Sequence, residues 1–364
     1  MYISQVRLQN FRNFEAVQIH PHKNLNILFG ENGAGKSSLL EAIHVLGYGR
    51  SFRTTKADAF IQSGKSQASG FCKFSLEEED YSLGFSRSKV EGYKFSVNGE
   101  KTKKIADIAR ILPVQIFTPQ SSDLVLGPPL GRRRYIDWLL FHVEQKFQYI
   151  NSRYQNCLQQ RNALLKNFDY KQSEAFISQD VWSEQLADLG ESITSLRESY
   201  ISRLNDEISA LYRKFYPEIK IVLRYNIGWE KSSSLIDSLR SRIQRDLFRG
   251  STSSGPHKAD LQFYIDDKNA AEFMSRGQLR LLVSILLLAE VKLLKAITNK
   301  PSVFLIDDIS AELDESTREM FLNEVLKQDT QVFVTAIEKE QMSFMQDYNN
   351  KKVFHVKQNH VFEE

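Results

Sequence analysis

Residues 30–37 read Gly-Glu-Asn-Gly-Ala-Gly-Lys-Ser. This stretch fits G-x-x-x-x-G-K-[ST] and limits the possible folds more than any other feature of the chain. The apolar run Asn24–Phe29 before it predicts a strand, and the pattern from Lys36 to about Leu46 predicts a helix. A strand that turns through glycines into a helix aims backbone N–H groups and the positive end of a helix dipole at one point, which suits a polyphosphate. Gly30, Gly33 and Gly35 permit the tight turn. Glu31, Asn32 and Ala34 complete the loop and Ser38 follows it, so residues 30–38 are assigned to nucleotide binding. Lys36 is expected to reach the β- and γ-phosphates, and the Ser37 hydroxyl to face Mg²⁺.

Val303–Ile306 is a second apolar strand, and it ends in two acids, Asp307 and Asp308. A buried strand in a parallel sheet delivers such a carboxylate to the sheet edge where a phosphate loop lies. Asp307 is therefore expected to hold Mg²⁺, directly or through water. Gln331–Val334 is another short apolar strand, and each of the two is followed by a helical pattern. This βα rhythm predicts a largely parallel, helix-covered sheet. Residues 68–101 read instead as an antiparallel meander with an Asn98-Gly99 turn. From Gly131 to Phe215 long helical patterns run with almost no proline or glycine. The expected division is 1–130 and 251–364 for one nucleotide-binding head, with 131–250 an inserted helical domain.

Composition excludes several classes. Hydrophobic residues make up 41% of the 364, enough for packed cores. The two cysteines, Cys72 and Cys157, lack any metal-ligand spacing. The most apolar stretch, Leu279–Ile297, contains Arg280, Glu290, Lys292 and Lys295, so it reads as a buried helix rather than a membrane span. The start of the chain lacks a signal-peptide core, and a soluble cytoplasmic protein is expected. The net charge of +3 neither demands nor excludes nucleic acid. Locally, Arg132, Arg133, Arg134, Lys146, Arg153, Arg161 and Lys166 face only Asp137 and Glu144. Arg132, Arg133, Arg134, Arg153 and Arg161 are the expected phosphate contacts to DNA. His257 reads as a hydrogen-bonded structural histidine.

Further segments carry a family resemblance. Ser275-Arg276-Gly277-Gln278, about thirty residues before Asp307, resembles the ABC-class signature at a helix start. Ile309–Asp314 resembles the D-loop of that class. Leu8-Gln9-Asn10-Phe11-Arg12-Asn13-Phe14, Gly49-Arg50-Ser51-Phe52-Arg53, Gly131-Arg132-Arg133-Arg134-Tyr135-Ile136-Asp137 and Gly255-Pro256-His257-Lys258-Ala259-Asp260-Leu261 occur in the order of the RecF family. The chain thus resembles RecF-type, SMC-like ABC ATPases along nearly its whole length. The resemblance implies an α/β fold: an ABC-type head with a mixed sheet and an antiparallel β subdomain, plus an inserted mainly α-helical domain. It implies that Ser275, Gly277 and Gln278 bind the γ-phosphate of ATP held by the opposite subunit of a homodimer. It places Asp308 where most ABC ATPases carry a glutamate that polarises the attacking water, so slow hydrolysis is expected. Arg50 and Arg53 are open to either nucleotide or DNA. The implied function is ATP-dependent DNA binding in recombinational repair, at gapped or junction DNA, loading RecA with RecR and RecO.

Two other ABC-type readings compete. A transporter ATPase needs a switch histidine after the strand Gln331–Val334, where Thr335-Ala336 stand. An ATP-gated nuclease of the overcoming-lysogenisation-defect type needs an acidic metal-binding domain beyond the head, and about fifty residues follow Asp308.

Overall fold

In the computed structural model, residues 1–76, 79–102, 105–169 and 171–364 are described. Positions 77 and 78 of the expected meander and position 170 of the expected helical stretch lie outside the described residues. The chain divides into two compact units, Met1–Ser121 with Arg276–Glu364, and Ser122–Ser275.

Two sheets of six described strands build the first unit. One is antiparallel and contains the expected meander. Its strand Gln67–Leu76 alternates buried and accessible positions along most of its length, so one face packs on the core. The other sheet is parallel apart from a C-terminal hairpin, Lys351–Lys357 with His360–Glu363. Its centre runs in the order Leu25–Phe29, Gln331–Ala336, Val303–Ile306, Val114–Phe117. The residues of Val303–Ile306 and Gln331–Ala336 are all buried, as expected of strands covered on both faces. Each fully buried Val, Leu, Ile or Phe contributes about 1.5–3 kcal/mol. The parallel register brings the strand ends together at one edge: Ile306 lies beside Val334, and Val334 beside Ile27. The loop at Gly30 and the acids at 307 and 308 therefore emerge side by side, separated by the one strand that carries Thr335.

The phosphate-loop helix spans Lys36–Tyr48 and buries Leu39, Leu40, Ala42, Ile43, Val45 and Leu46 in the core. Gly49 ends it in the left-handed conformation, φ +75°, where a side chain is disfavoured.

Among its described residues the second unit holds five helices, the short Asp123–Leu126 and then Pro129–Val143, Phe147–Leu165, Ser173–Gln179 and Ser183–Phe215, before a small antiparallel sheet. The longest buries Ile193, Ile201, Leu204, Ile208 and Leu211, an amphipathic stripe. The sheet pairs Ile221–Asn226 with Asp260–Ile265, and this second strand with Lys268–Asn269. The boundaries thus fall at 122 and 275 rather than at the expected 131 and 250. The physical reason is pairing across the expected border: the strand at 260–265 completes a sheet begun at 221 and belongs with it.

Candidate nucleotide-binding site

At the C-terminal edge of the parallel sheet a cavity of about 280 Å³ is lined by Asn32, Gly33, Gly35, Lys36, Ser37, Ser38, Asp307, Asp308 and Thr335, with Arg12, Asn13, Arg53 and Ile337. The loop that forms its floor needs its glycines. Gly30 has φ +148°, and a Cβ there would lie 2.1 Å from the Val356 carbonyl oxygen. Gly35 has φ +117°, and a Cβ would press into the Phe14 ring at 2.7 Å.

Lys36 folds back over the loop. Its Nζ donates to the Gly30 carbonyl at 2.5 Å and to the Glu31 carbonyl at 3.0 Å. Burial lowers its pKa, while the carboxylates of Asp308 and Asp307 act in the opposite direction. The ammonium is thus desolvated and held by neutral carbonyls, a state that an incoming phosphate improves.

Ser37 Oγ donates to Asp307 Oδ1 at 2.8 Å. The expected pair of metal-facing groups is therefore in contact. Burial raises the pKa of Asp307, opposed by the hydrogen bonds from Ser37 and Thr335. Thr335 Oγ1 donates to the same oxygen at 2.9 Å and accepts the Asp308 backbone N–H at 2.8 Å. One hydroxyl on the middle strand thereby fixes both acids. Asp308 has φ +53°, and its buried Oδ1 has no hydrogen-bond partner among the described residues. That carboxylate oxygen, beside a lysine-tipped glycine loop, can accept a hydrogen bond from a group in the cavity.

These residues fit a Mg²⁺-nucleotide. Ser37 and Asp307 offer the hard oxygens that Mg²⁺ takes, and no group of three or more His, Cys, Asp or Glu among the described residues forms a metal cage of its own. That donor set matches an ion bound chiefly through phosphates and water.

The segment resembling a signature, Ser275–Gln278, spans the point in the sequence where the second unit ends and the first resumes. Ser275 is the last residue of the second, and the helix Arg276–Thr298, carrying Gly277 and Gln278 in its first turn, opens the return of the chain to the first. Arg280 of this helix pairs with Glu312 at 2.9 Å and donates to the Ala311 carbonyl at 2.8 Å. The segment resembling a signature is thus tied to the segment resembling a D-loop. Asp314 then caps the next helix through the Thr317 N–H.

The family model described as the RecF/RecN/SMC N-terminal domain matches residues 2–361. The "DNA replication and repair protein RecF" of Pseudoalteromonas atlantica is 43% identical over 366 residues, covering all of both chains. The chain belongs to the RecF family. The protein of the same description from Shewanella woodyi is 35% identical, covering 98% of this chain and 97% of that one. Among solved structures, one described as the recombination mediator protein RecF-ATP in the RecFOR pathway superposes with a TM-score of 0.88 at 25% identity, covering 100% and 99% of the two chains. An Smc head bound to the C-terminal winged-helix domain of ScpA shares the fold at TM-score 0.60 and 16% identity.

The expected DNA contacts need correction at two positions. Arg132 is buried, paired through Nε with Asp260 at 2.7 Å and donating to the Gly127 carbonyl at 2.7 Å. Arg161 is 1% exposed and bonds Ser183, Asp246 and Thr252. A guanidinium with such partners cannot leave for a phosphate without stranding a buried carboxylate. Arg133 is half-buried and donates to the Ala259 carbonyl at 2.7 Å. Arg134 and Arg153 are exposed. The two RecF-like segments at 131–137 and 255–261 therefore bind each other, through Arg132 with Asp260 and Arg133 with Ala259. His257 is structural as expected: Tyr154 OH lies 2.6 Å from Nδ1, the Thr252 carbonyl lies 3.0 Å from Nε2, and burial lowers its pKa to about 4.

Thr335, Glu41 and the placement of Arg12 were not singled out by sequence reasoning. Two faint signals were present: a hydroxyl residue ending an apolar strand, and an acid within the apolar helix that follows the loop.

Proposed function

We propose that this protein binds and slowly hydrolyses MgATP and uses the nucleotide state to control a homodimer that grips DNA. The observation that carries the reading is the constellation at one sheet edge: Lys36 over the glycine loop, Ser37 on Asp307, and the orphaned carboxylate of Asp308. Lys36 would neutralise phosphate charge, and Ser37 with Asp307 would hold Mg²⁺. When bound, Mg²⁺ supplies positive charge at the β- and γ-phosphate oxygens. Asp308 is the free carboxylate left to accept a hydrogen bond from the attacking water. Asp308→Asn is therefore expected to retain MgATP binding and to lower hydrolysis about 100-fold, since that step loses its base. Titration beside a phosphate-release assay checks this, and parallel loss of binding would show that the two acids are misassigned.

Full-length kinship with proteins described as RecF, and a solved relative assigned to the RecFOR pathway, support the rest of the reading. In it, the protein acts in the cytoplasm in recombinational repair and replication restart. It binds gapped or junction DNA and promotes RecA loading with RecR and RecO. Ser275 and the helix start at Gly277 and Gln278 would complete the nucleotide site of the opposite subunit.

DNA binding should be measured against salt, with and without ATP. Affinity is expected to fall steeply with salt, with a slope near −0.9 per duplex phosphate neutralised. Arg134→Gln with Arg153→Gln should weaken binding similarly across sequences and flatten the slope by about 2. A salt-independent affinity, or a double variant that binds as wild type, would remove these two residues from the interface.

A further inference from the structure

Glu41 lies one helical turn beyond Ser37, and its side chain is fully buried. A buried carboxylate needs partners, and two segments besides its own helix supply them. Arg12 grips both oxygens, Nε to Oε2 at 2.8 Å and Nη2 to Oε1 at 2.6 Å. Ser51 Oγ donates to Oε1 at 2.5 Å and also accepts the Arg53 backbone N–H at 2.9 Å. Arg53 approaches from the same loop, with Nη1 3.6 Å from Oε2.

The two arginines are held unequally. Arg12 makes a two-point, charge-assisted contact, the strong form of such pairs. Its remaining Nη1 donates to the Ala59 carbonyl at 2.5 Å, and its backbone sits at φ +53°, a conformation that a non-glycine residue keeps only when its surroundings enforce it. Arg53 makes one long contact, and its side chain is 44% exposed. Both line the cavity that holds Lys36, Ser37 and Asp307.

We propose that Glu41 is a positioning residue for nucleotide binding: it fixes Arg12 rigidly and holds Arg53 loosely, so that both guanidiniums face the cavity before a nucleotide arrives and Arg53 can transfer to its phosphates. This rests on the nucleotide-site reading above. A simple buried counter-charge makes the opposite forecast, because it competes with phosphate for the same cations, and its removal would tighten binding.

The test is calorimetric titration of the full chain with Mg²⁺ and either ADP or ATPγS. Wild type, Glu41→Gln, Arg53→Gln and the double variant are compared, with thermal unfolding of each in parallel. Glu41→Gln is expected to raise Kd about tenfold, the scale of one charge-assisted hydrogen bond. The double variant should lose less than the sum of the two single losses, because Glu41 acts in part through Arg53. A purely structural Glu41 gives additive losses, and a counter-charge gives equal or lower Kd; either result overturns the proposal. If Glu41→Gln does not fold, Glu41→Asp keeps the charge but retracts it by one methylene. Its Kd should then rise several-fold at unchanged Tm, and an unchanged Kd would refute the proposal. Wild type that binds neither nucleotide would sink the site reading itself, whereas wild-type binding with indifferent Glu41 variants sinks only this inference.

Discussion

Lys36→Ala is expected to weaken nucleotide binding severely, raising Kd on the order of 100-fold and leaving no measurable hydrolysis. Lys36 is the cation folded directly over the loop, and its ammonium is desolvated and held by two carbonyls at 2.5 and 3.0 Å. Alanine removes the charge without altering the glycine turns, so the loop persists with nothing to neutralise the phosphates. Lys36→Arg is expected to bind but hardly turn over. A planar guanidinium keeps the charge, yet it is larger than the ammonium that fits beneath those carbonyls. Titration and phosphate release, with thermal unfolding as the control on folding, check both variants. Normal hydrolysis by Lys36→Ala would defeat the assignment of the loop.

The second large effect is a recovery. If Ser275 serves nucleotide on the opposite subunit, each site of a homodimer takes its loop and its signature from different chains. Lys36→Ala and Ser275→Arg should then each be inactive, the second because a long cation blocks the place where the γ-phosphate docks. In a mixed dimer the intact loop of one chain faces the intact signature of the other, and both defects fall in the second site. Partial ATPase activity is expected on mixing once subunits exchange: about half that of wild type per heterodimer, and about a quarter for an equimolar mixture that pairs at random, if the sites turn over independently. A signature acting within its own chain gives no recovery at any ratio. Absence of activity in a verified heterodimer would remove either the trans role of Ser275 or the independence of the two sites. The milder Ser275→Ala, by its residual activity, helps separate the two.

The placement of the loop and of Asp307 was legible because both are local. A glycine loop between strand and helix, and an apolar strand ending in acid, carry their meaning in consecutive residues. What was not legible depends on register and burial. Thr335 meets Asp307 only because a parallel register puts Ile306 beside Val334. Arg132 and Arg161 read as a basic surface because sequence shows their charge and not their partners, Asp260 and Asp246, which lie 128 and 85 residues away. The border of the second unit was misread for a related reason. Helical periodicity marks where helices run, but the strand at 260–265 belongs with the helices through pairing to 221–226, a long-range contact that no local pattern records.

The contact between Ser37 and Asp307 has a consequence for the order of events. Two oxygens that a cation would share are already bonded to each other, and Thr335 donates to the same carboxylate oxygen. The pair offers a bare divalent ion only a hydroxyl and a carboxylate, too few ligands to displace most of the water of Mg²⁺. The hydroxyl keeps its lone pairs while its proton rests on Asp307, so the pair need not separate, and the phosphate chain seated on the loop supplies the further oxygens that an Mg²⁺ shell requires. Loading should therefore follow the concentration of the preformed metal–nucleotide complex rather than that of the free ion. A cell's magnesium level would then set occupancy only through the fraction of nucleotide it chelates.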